Sequence, residues 1–454
     1  MELHELSVAQ AAEKIRQREI SPLELTEALL HRIDALDPKV KAWETVDRAG
    51  ALAAARRCEA EVGKGETGAL HGVPLGVKDI FYTAGLRTTV GSSIFQDFVP
   101  AYDATSVARL RQAGAFVLGK TVTVQFAHFD PPVTRNPWNY DRTPGGSSSG
   151  SAAAVAARMV PAALGSQTGG SVLRPAAYCG VVGLKPTYGR ISRYGVIPNT
   201  WTLDHVGTLT RTVEDAALLL QAMAGHDPLD AASSRVPTSD YLAAAGRRDR
   251  APRLGFVVDE EQRAQPKVAE HLREMATFFE RTGAQVREVR MPRPMSELLA
   301  IRGIMCEVEA SNLHAHLLKE KPEGYAPRIR ELVEVGQLVP GVAYIHAQRL
   351  RRKLRPRMEE MLEELDCLLM PTASDVAPDP SSTGENWYQG VWSLFGFPSI
   401  SLPSGLSRDR LPLAVQLVAA PFREDTLLSA AAWAESVLAP LPSPRVFVST
   451  ALTQ

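Results

Sequence analysis

In the first sixty residues the apolar side chains fall at helical spacing: Leu25, Ala28, Leu29, Ile33 and Leu36 line one face of a single predicted helix. Ser21 followed by Pro22 supplies its start, since proline at the first helical position has no N–H to leave unsatisfied. Ser7 marks an earlier start, and the alanine-rich stretch 51–62 predicts a further helix. The texture changes between residues 68 and 207, where Gly, Ser, Thr and Pro are dense and short apolar runs such as Phe116-Val117-Leu118 interrupt them. Short strands joined by loops are expected there. Residues 212–225 read as a helix ended by Gly225, and the polar stretch 237–253 as an exposed connection. Beyond it, strand-like segments at 254–258, 285–291, 367–371, 400–405 and 413–418 alternate with helical ones at 266–281, up to about 365, and from Asp425 onward. The alternation predicts an α/β fold, a central sheet covered by helices on both faces. With no repeat and no low-complexity tract, residues 1–454 read as a single domain.

Composition narrows the function. The chain has 454 residues, 45% hydrophobic and 22% charged, enough for a large core. Lys+Arg 50 against Asp+Glu 51 leaves a net charge of −1, so neither nucleic acid nor an anionic membrane is attracted overall. The six charges between Arg349 and Arg357 read as a solvated helix face. No apolar run reaches the ~18 residues of a membrane span, because Arg158 breaks the longest small-residue stretch. The N-terminus lacks the basic and apolar regions of a secretory signal. Cys58, Cys179, Cys306 and Cys367 lie far apart without a C-x-x-C pair, which argues against a disulfide or zinc framework and for a cytoplasmic setting.

Two short motifs do not survive their context. Gly114 to Thr121 matches the phosphate-loop pattern, but Ala115-Phe116-Val117-Leu118 reads as a strand rather than a loop, and the β-branched TVTVQF that follows is a poor helix start. Gly146-Ser147-Ser148-Ser149-Gly150 matches the nucleophile elbow of α/β-hydrolases, yet turn-like NYDRTPGG precedes it where an elbow needs a strand.

The block 143–193 carries the chemistry. Gly145-Gly146-Ser147-Ser148-Ser149-Gly150-Ser151 is followed by Gln167-Thr168-Gly169-Gly170-Ser171, then Arg174-Pro175-Ala176 and Cys179-Gly180. Upstream stands Gly72-Val73-Pro74-Leu75-Gly76-Val77-Lys78-Asp79; downstream stand Leu203-Asp204-His205-Val206-Gly207 and Thr210-Arg211-Thr212-Val213-Glu214-Asp215. In this order and spacing the elements resemble the amidase signature family of serine hydrolases, most strongly over 72–215. The resemblance implies an amidase signature fold with a mixed sheet, a signature core at 68–215, a helical part at 1–65 and a C-terminal α/β part at 250–454. It further implies a Ser–cis-Ser–Lys triad: Ser171 as acylated nucleophile, Ser147 as the bridging serine after a cis peptide, and Lys78 as base. Metal and cofactor have no part in that scheme.

Elementary chemistry agrees with these roles. A serine hydroxyl is a weak nucleophile until a base takes its proton. Lysine serves as that base only when burial lowers its pKa far below ~10.4. Thr168, Gly169, Gly170 and Ser171 offer a run of backbone N–H donors for an oxyanion. Asp79 and Asp204 read as loop-capping carboxylates in preference to outer partners of the triad, and Ser148 and Ser149 as support, with hydrogen bonds to the serine network as their functional option.

The substrate is less legible. Small amides or carbamates, and aryl esters, suit acyl-serine chemistry. Arg174 stands where some malonamidase-like members bind a substrate carboxylate, although a salt bridge beneath the loop would use the same residue. Residues 386–397, with Trp201 and Phe129, are rich enough in aromatics to line an apolar pocket or to fill core. The alternative is the glutaminase A-type subunit of a tRNA-dependent amidotransferase. That subunit usually has arginine two positions after the nucleophile, where Leu173 stands here. A homodimer is compatible with the sequence.

Overall fold

The computed structural model describes residues 2–62, 64, 67–258 and 263–444. Eleven strands form one sheet: β1 (Trp43–Val46), β2 (Pro74–Lys78), β3 (Phe116–Thr121), β4 (Ala163–Gln167), β5 (Val182–Lys185), β6 (His205–Thr210), β7 (Arg253–Val257), β8 (Gln285–Val289), β9 (Cys367–Pro371), β10 (Ser399–Leu406) and β11 (Pro412–Val418). Their spatial order is β1-β3-β2-β4-β6-β5-β10-β11-β9-β7-β8. β2 runs parallel to β3 and β4, and β7 parallel to β8 and β9, while the remaining pairs are antiparallel. The sheet is therefore mixed, and helices cover both faces. β2, β3, β4, β5, β6 and β9 are buried at every position, so they read as continuous apolar or small-residue runs without alternation. β8, at one edge, exposes charged side chains that discourage pairing with another chain.

The predicted N-terminal helix is Pro22–Val40. Ser21 Oγ accepts from Glu24 N–H at 3.0 Å and the Glu24 carboxylate accepts from Ser21 N–H at 2.8 Å, a reciprocal cap. Leu25, Leu29, Ile33 and Leu36 are all buried in the main core. Two segments differ from expectation. The helical first part also contains β1, whose four residues are too few to show a period and which pairs antiparallel with β3. The connection 237–253 contains a short helix, Tyr241–Ala245, with Tyr241, Ala244 and Ala245 buried against the helices Val213–Met223 and Glu424–Val437.

Within Gly114–Thr121 the residues Phe116–Thr121 form strand β3, where a phosphate loop would be irregular. Lys120 lies inside β3, fully buried, donating to Phe81 O and Thr88 Oγ1 at 2.6 Å each. No strand leads directly into Ser147, since β3 ends at Thr121, and the helix Ser149–Ala156 starts within the serine run. Among the described residues no helix is long and apolar enough to cross a membrane, and all four cysteines are free thiols.

Candidate active site

The parallel register of β2 and β4, Gly76↔Ala163 and Val77↔Leu164, carries the end of β2 to the level of Gly165 and Ser166. Lys78 closes β2 with its side chain fully buried. Its amine donates to Ser147 Oγ and to Ser166 Oγ, both at 2.8 Å. Burial pushes its pKa well below the ordinary lysine value, and the charge of Asp204 pulls the other way. A fully buried ammonium with only two hydroxyls and a distant carboxylate is poorly compensated, which is why its pKa falls.

Ser147 follows a cis peptide bond from Gly146. Its loop is stitched to neighbouring strands: Val124 N–H donates to the Ser147 carbonyl at 3.3 Å, and Ser148 Oγ exchanges hydrogen bonds with the Ser166 backbone. Ser151 Oγ donates to the Leu164 carbonyl at 2.8 Å. Only glycine is tolerated at position 150, where a Cβ would stand 2.2 Å from the Ala42 carbonyl oxygen. Ser171 comes alongside because its carbonyl accepts the Ser148 N–H at 3.3 Å.

Residues 168–171 link β4 to the helix Leu173–Cys179. Gln167 Oε1 accepts the next two amides, Val172 at 2.9 Å and Leu173 at 3.0 Å. Ser393 Oγ fixes the loop from the other side by donating to the Gly169 carbonyl at 2.8 Å. The N–H groups of Gly169, Gly170 and Ser171 donate to no other described residue. Three adjacent unspent amides beside a serine hydroxyl suit a developing oxyanion. Thr168 donates its hydroxyl to Asp204, which also accepts from Asn199 N–H at 2.8 Å and Thr200 N–H at 2.9 Å. Asp204 is thus a loop cap, as expected, and its charge also reaches Lys78. Asp79 pairs with Lys120 at 3.4 Å and accepts from Thr89; burial lowers Lys120 to about 8.

Of the two roles weighed for Arg174 from the sequence, the structure bears on the salt bridge alone. Its buried guanidinium forms no ion pair with a described residue. It donates instead to the Gly146 carbonyl at 2.6 Å, the Gly384 carbonyl at 2.7 Å and Thr383 Oγ1 at 3.3 Å. Burial lowers its pKa to about 10. The aromatic segment divides: Tyr388, Trp392, Phe395 and Phe397 are core, whereas Trp387 and Asn386 join Phe129 and Arg174 around a groove of about 710 Å³. Trp201 lies elsewhere, with Ser166, Asp204 and His205 around a cavity of about 170 Å³.

Sequence reasoning missed Ser166, the second acceptor of the Lys78 amine. Its signal is topological, two residues beyond the Val77↔Leu164 pair. For metals, Cys58, Glu61 and His71 bring ligand atoms within 4.8 Å of one another. The His71 ring already bonds the Cys58 carbonyl at 2.8 Å, however, and burial raises the Cys58 thiol, away from thiolate.

A family model described as Amidase matches residues 24–428. The chain is 38% identical over 476 residues to the A-type subunit of the glutamyl-tRNA(Gln) amidotransferase of Geobacter sp. (strain M21), covering 95% of this chain and 97% of that protein. Among solved structures, one described as belonging to a vestigial protein complex that reveals the origins of an s-triazine catabolic enzyme superposes with a TM-score of 0.91 at 30% identity, covering 96% of this chain and all of that one. The peptide amidase of Stenotrophomonas maltophilia superposes with a TM-score of 0.85 at 31% identity, covering 97% and 98%.

Proposed function

The chain belongs to the amidase family, and from that premise we propose that it cleaves amide C–N bonds through an acyl-serine intermediate on Ser171, with Ser147 and Lys78 as proton relay and base. The observation that carries the proposal is the fully buried Lys78 amine, its pKa pushed well below normal, 2.8 Å from Ser147 Oγ. In the first half-reaction Ser171 Oγ attacks the carbonyl carbon, its proton passes to Ser147, and the Ser147 proton passes to Lys78. The carbonyl oxygen, now negative, takes the N–H groups of Gly169, Gly170 and Ser171. Collapse breaks the C–N bond, and the leaving nitrogen receives a proton from Ser147 that Lys78 replaces. Water then repeats the sequence against the ester, releasing acid and restoring Ser171. Carbamates and aryl esters are open to the same steps, the latter because their leaving groups need less protonation.

The test is turnover by the purified single chain, beside Ser171→Ala, on a malonic monoamide, glutamine, a nitroanilide, an aryl carbamate and an aryl ester. Peptide-level mass spectrometry of the trapped adduct then locates the acyl group. Hydrolysis that survives Ser171→Ala, with contamination excluded, would sink the assignment.

A second reading is favoured by the Geobacter relative: the glutaminase A-type subunit of a tRNA-dependent amidotransferase. Near-complete mutual coverage with that protein supports it, while Leu173 departs from the arginine usual in such subunits. It uses the same acyl-serine chemistry but predicts little turnover by the chain alone and strong stimulation once partner proteins and tRNA are supplied. The single-chain assay separates the two readings.

A further inference from the structure

Arg302 lies on the 26-residue helix Met295–Glu320 and is 6% exposed. Its stem crosses Gly390 of the helix Trp387–Phe395, where an added Cβ would stand 3.4 Å from both Arg302 Cδ and Nε. Its guanidinium ends over Gly169: a Cβ there would be 2.3 Å from Arg302 Nη2 and 2.6 Å from Asn386 Nδ2. Two donors thus converge on the space that the absent side chain leaves open, two residues before Ser171. Yet Arg302 forms no hydrogen bond or ion pair with any described residue, and its Nε is buried without a partner. The charge of Glu307 interacts with it from beyond ion-pair distance. Nearby, both ring nitrogens of His128 are buried and unpartnered, and burial together with the charges of His314 and Arg302 holds that ring neutral. Gln389 Oε1 is a third buried group without a partner, 2.7 Å from where a Cβ on Gly170 would stand.

A guanidinium this enclosed, with its Nε unpartnered and no carboxylate at ion-pair distance among the described residues, is costly to the folded state unless its donors find acceptors. We infer that the substrate supplies them: Arg302, with Asn386, binds a carboxylate on the acyl portion of the substrate, and the enzyme acts on short monoamides of dicarboxylic acids. A planar guanidinium beside an amide NH₂ is a donor fork matched to a carboxylate. Two chain steps hold the Cα atoms of Gly169 and Ser171 within ~7 Å of each other, so the donor fork and the nucleophile border one small region, which suits a short acyl chain. Arg174, the residue the sequence offered for this task, spends Nη1 and Nη2 on the Gly384 and Gly146 carbonyls and Thr383, with only its Nε unpartnered. The inference rests on the acyl-serine reading for the reacting carbonyl, but not for the carboxylate site.

Two experiments test it separately. In the first, kcat/KM is measured for malonamate, propionamide and glutamine with wild type, Arg302→Met and Arg302→Lys. The malonamate-to-propionamide ratio should be high in wild type and fall roughly 10–100-fold in Arg302→Met, the scale of a hydrogen bond to a charged group, with part restored by Arg302→Lys. An unchanged ratio overturns the inference, and so does glutamine as the preferred substrate. The second reads binding without chemistry. Malonate should raise the melting temperature of the Ser171→Ala protein with dose and leave Ser171→Ala/Arg302→Met unmoved, while inorganic phosphate has little effect on either. Equal malonate stabilisation of both proteins, or of neither, overturns the carboxylate site. Should no amide be turned over at all while malonate still stabilises through Arg302, the acyl-serine reading fails alone.

Discussion

The loop carrying Ser171 lies between two sets of polar groups with opposite accounting. On the β2–β4 side, Lys78, Ser147, Ser148, Ser166 and Thr168 all hydrogen bond within the chain, with Ser149 Oγ and His205 Nε2 as buried exceptions. On the side made by the helices Met295–Glu320 and Trp387–Phe395, Arg302, His128 and Gln389 Oε1 keep buried polar atoms unpartnered. Saturated contacts fix groups before substrate arrives, which is what proton transfer and oxyanion stabilisation require. Unsaturated buried groups gain most from a guest that pairs with them, which is what recognition requires. On the proposed assignment, chemistry and selectivity are held by different parts of the sequence, and substitutions on the two sides should fail differently.

The sharpest way to break that comparison is at its chemical side. Lys78→Met or Ser171→Ala should lower kcat about 10⁴–10⁶-fold on every amide alike, the scale seen when one member of a mutually dependent catalytic unit is removed. A loss confined to some substrates would give these residues a recognition role instead. Next in size is Gly169→Ala, which touches both sides at once. The added methyl must displace Arg302 Nη2 and Asn386 Nδ2, the ends of mobile side chains, so the protein should fold while kcat/KM falls roughly 100-fold through misplacement of the donor loop. Unaltered kinetics would mean that the fork and the loop do not share the substrate.

The two buried arginines sharpen the contrast through stability. Arg174→Met strips the Gly146 and Gly384 carbonyls of a charged donor and should cost about 2–3 kcal/mol in equilibrium unfolding. Arg302→Met removes a charge with no partner to abandon and should leave unliganded stability equal to wild type or higher. The same sign for both variants would show that Arg302 is satisfied by something within the fold.

What could be read from the sequence follows this division. Lys78, Ser147, Ser171 and the 168–171 amides each lie in a short Gly- and Ser-rich string whose backbone demands are local, so order and spacing betray them. Ser166 stands just ahead of such a string, but its contact with Lys78 depends on β2 and β4 being neighbours, which no local pattern encodes. Arg302 sits far beyond Ser171 in the chain, in a helix buried around much of its circumference. There an arginine looks like any other snorkelling charge, and only the crossing over Gly390 aims it at Gly169. The aromatic run hid Asn386 and Gln389 for a similar reason: its bulky members fill the core, and the polar residues between them reach the site. The position of Arg174 beside the nucleophile is visible in sequence, whereas the carbonyls of Gly146 and Gly384 that take up part of its guanidinium are not.

The smallest expected effect is a displacement along the pH axis, and it probes how the two functions of Asp204 combine. Lys78 works as a base only when neutral, so kcat/KM should rise with pH and level off once pH exceeds its folded-state pKa. Burial depresses that pKa, and the negative charge of Asp204 opposes the depression. Asp204→Asn removes the charge while its side-chain oxygen can still accept from Asn199 and Thr200 N–H. With the opposing charge gone, Lys78 loses its proton at lower pH, and the acid limb of the profile should move downward with the plateau little changed. Lys120→Met serves as control, since that lysine is engaged with Phe81, Thr88 and Asp79 rather than with Ser147, and it should leave the limb where it was. A limb that stays put in Asp204→Asn would reduce Asp204 to a loop cap. A limb that moves upward would mean that another group carries the base function, because removing a negative charge cannot make Lys78 hold its proton more tightly.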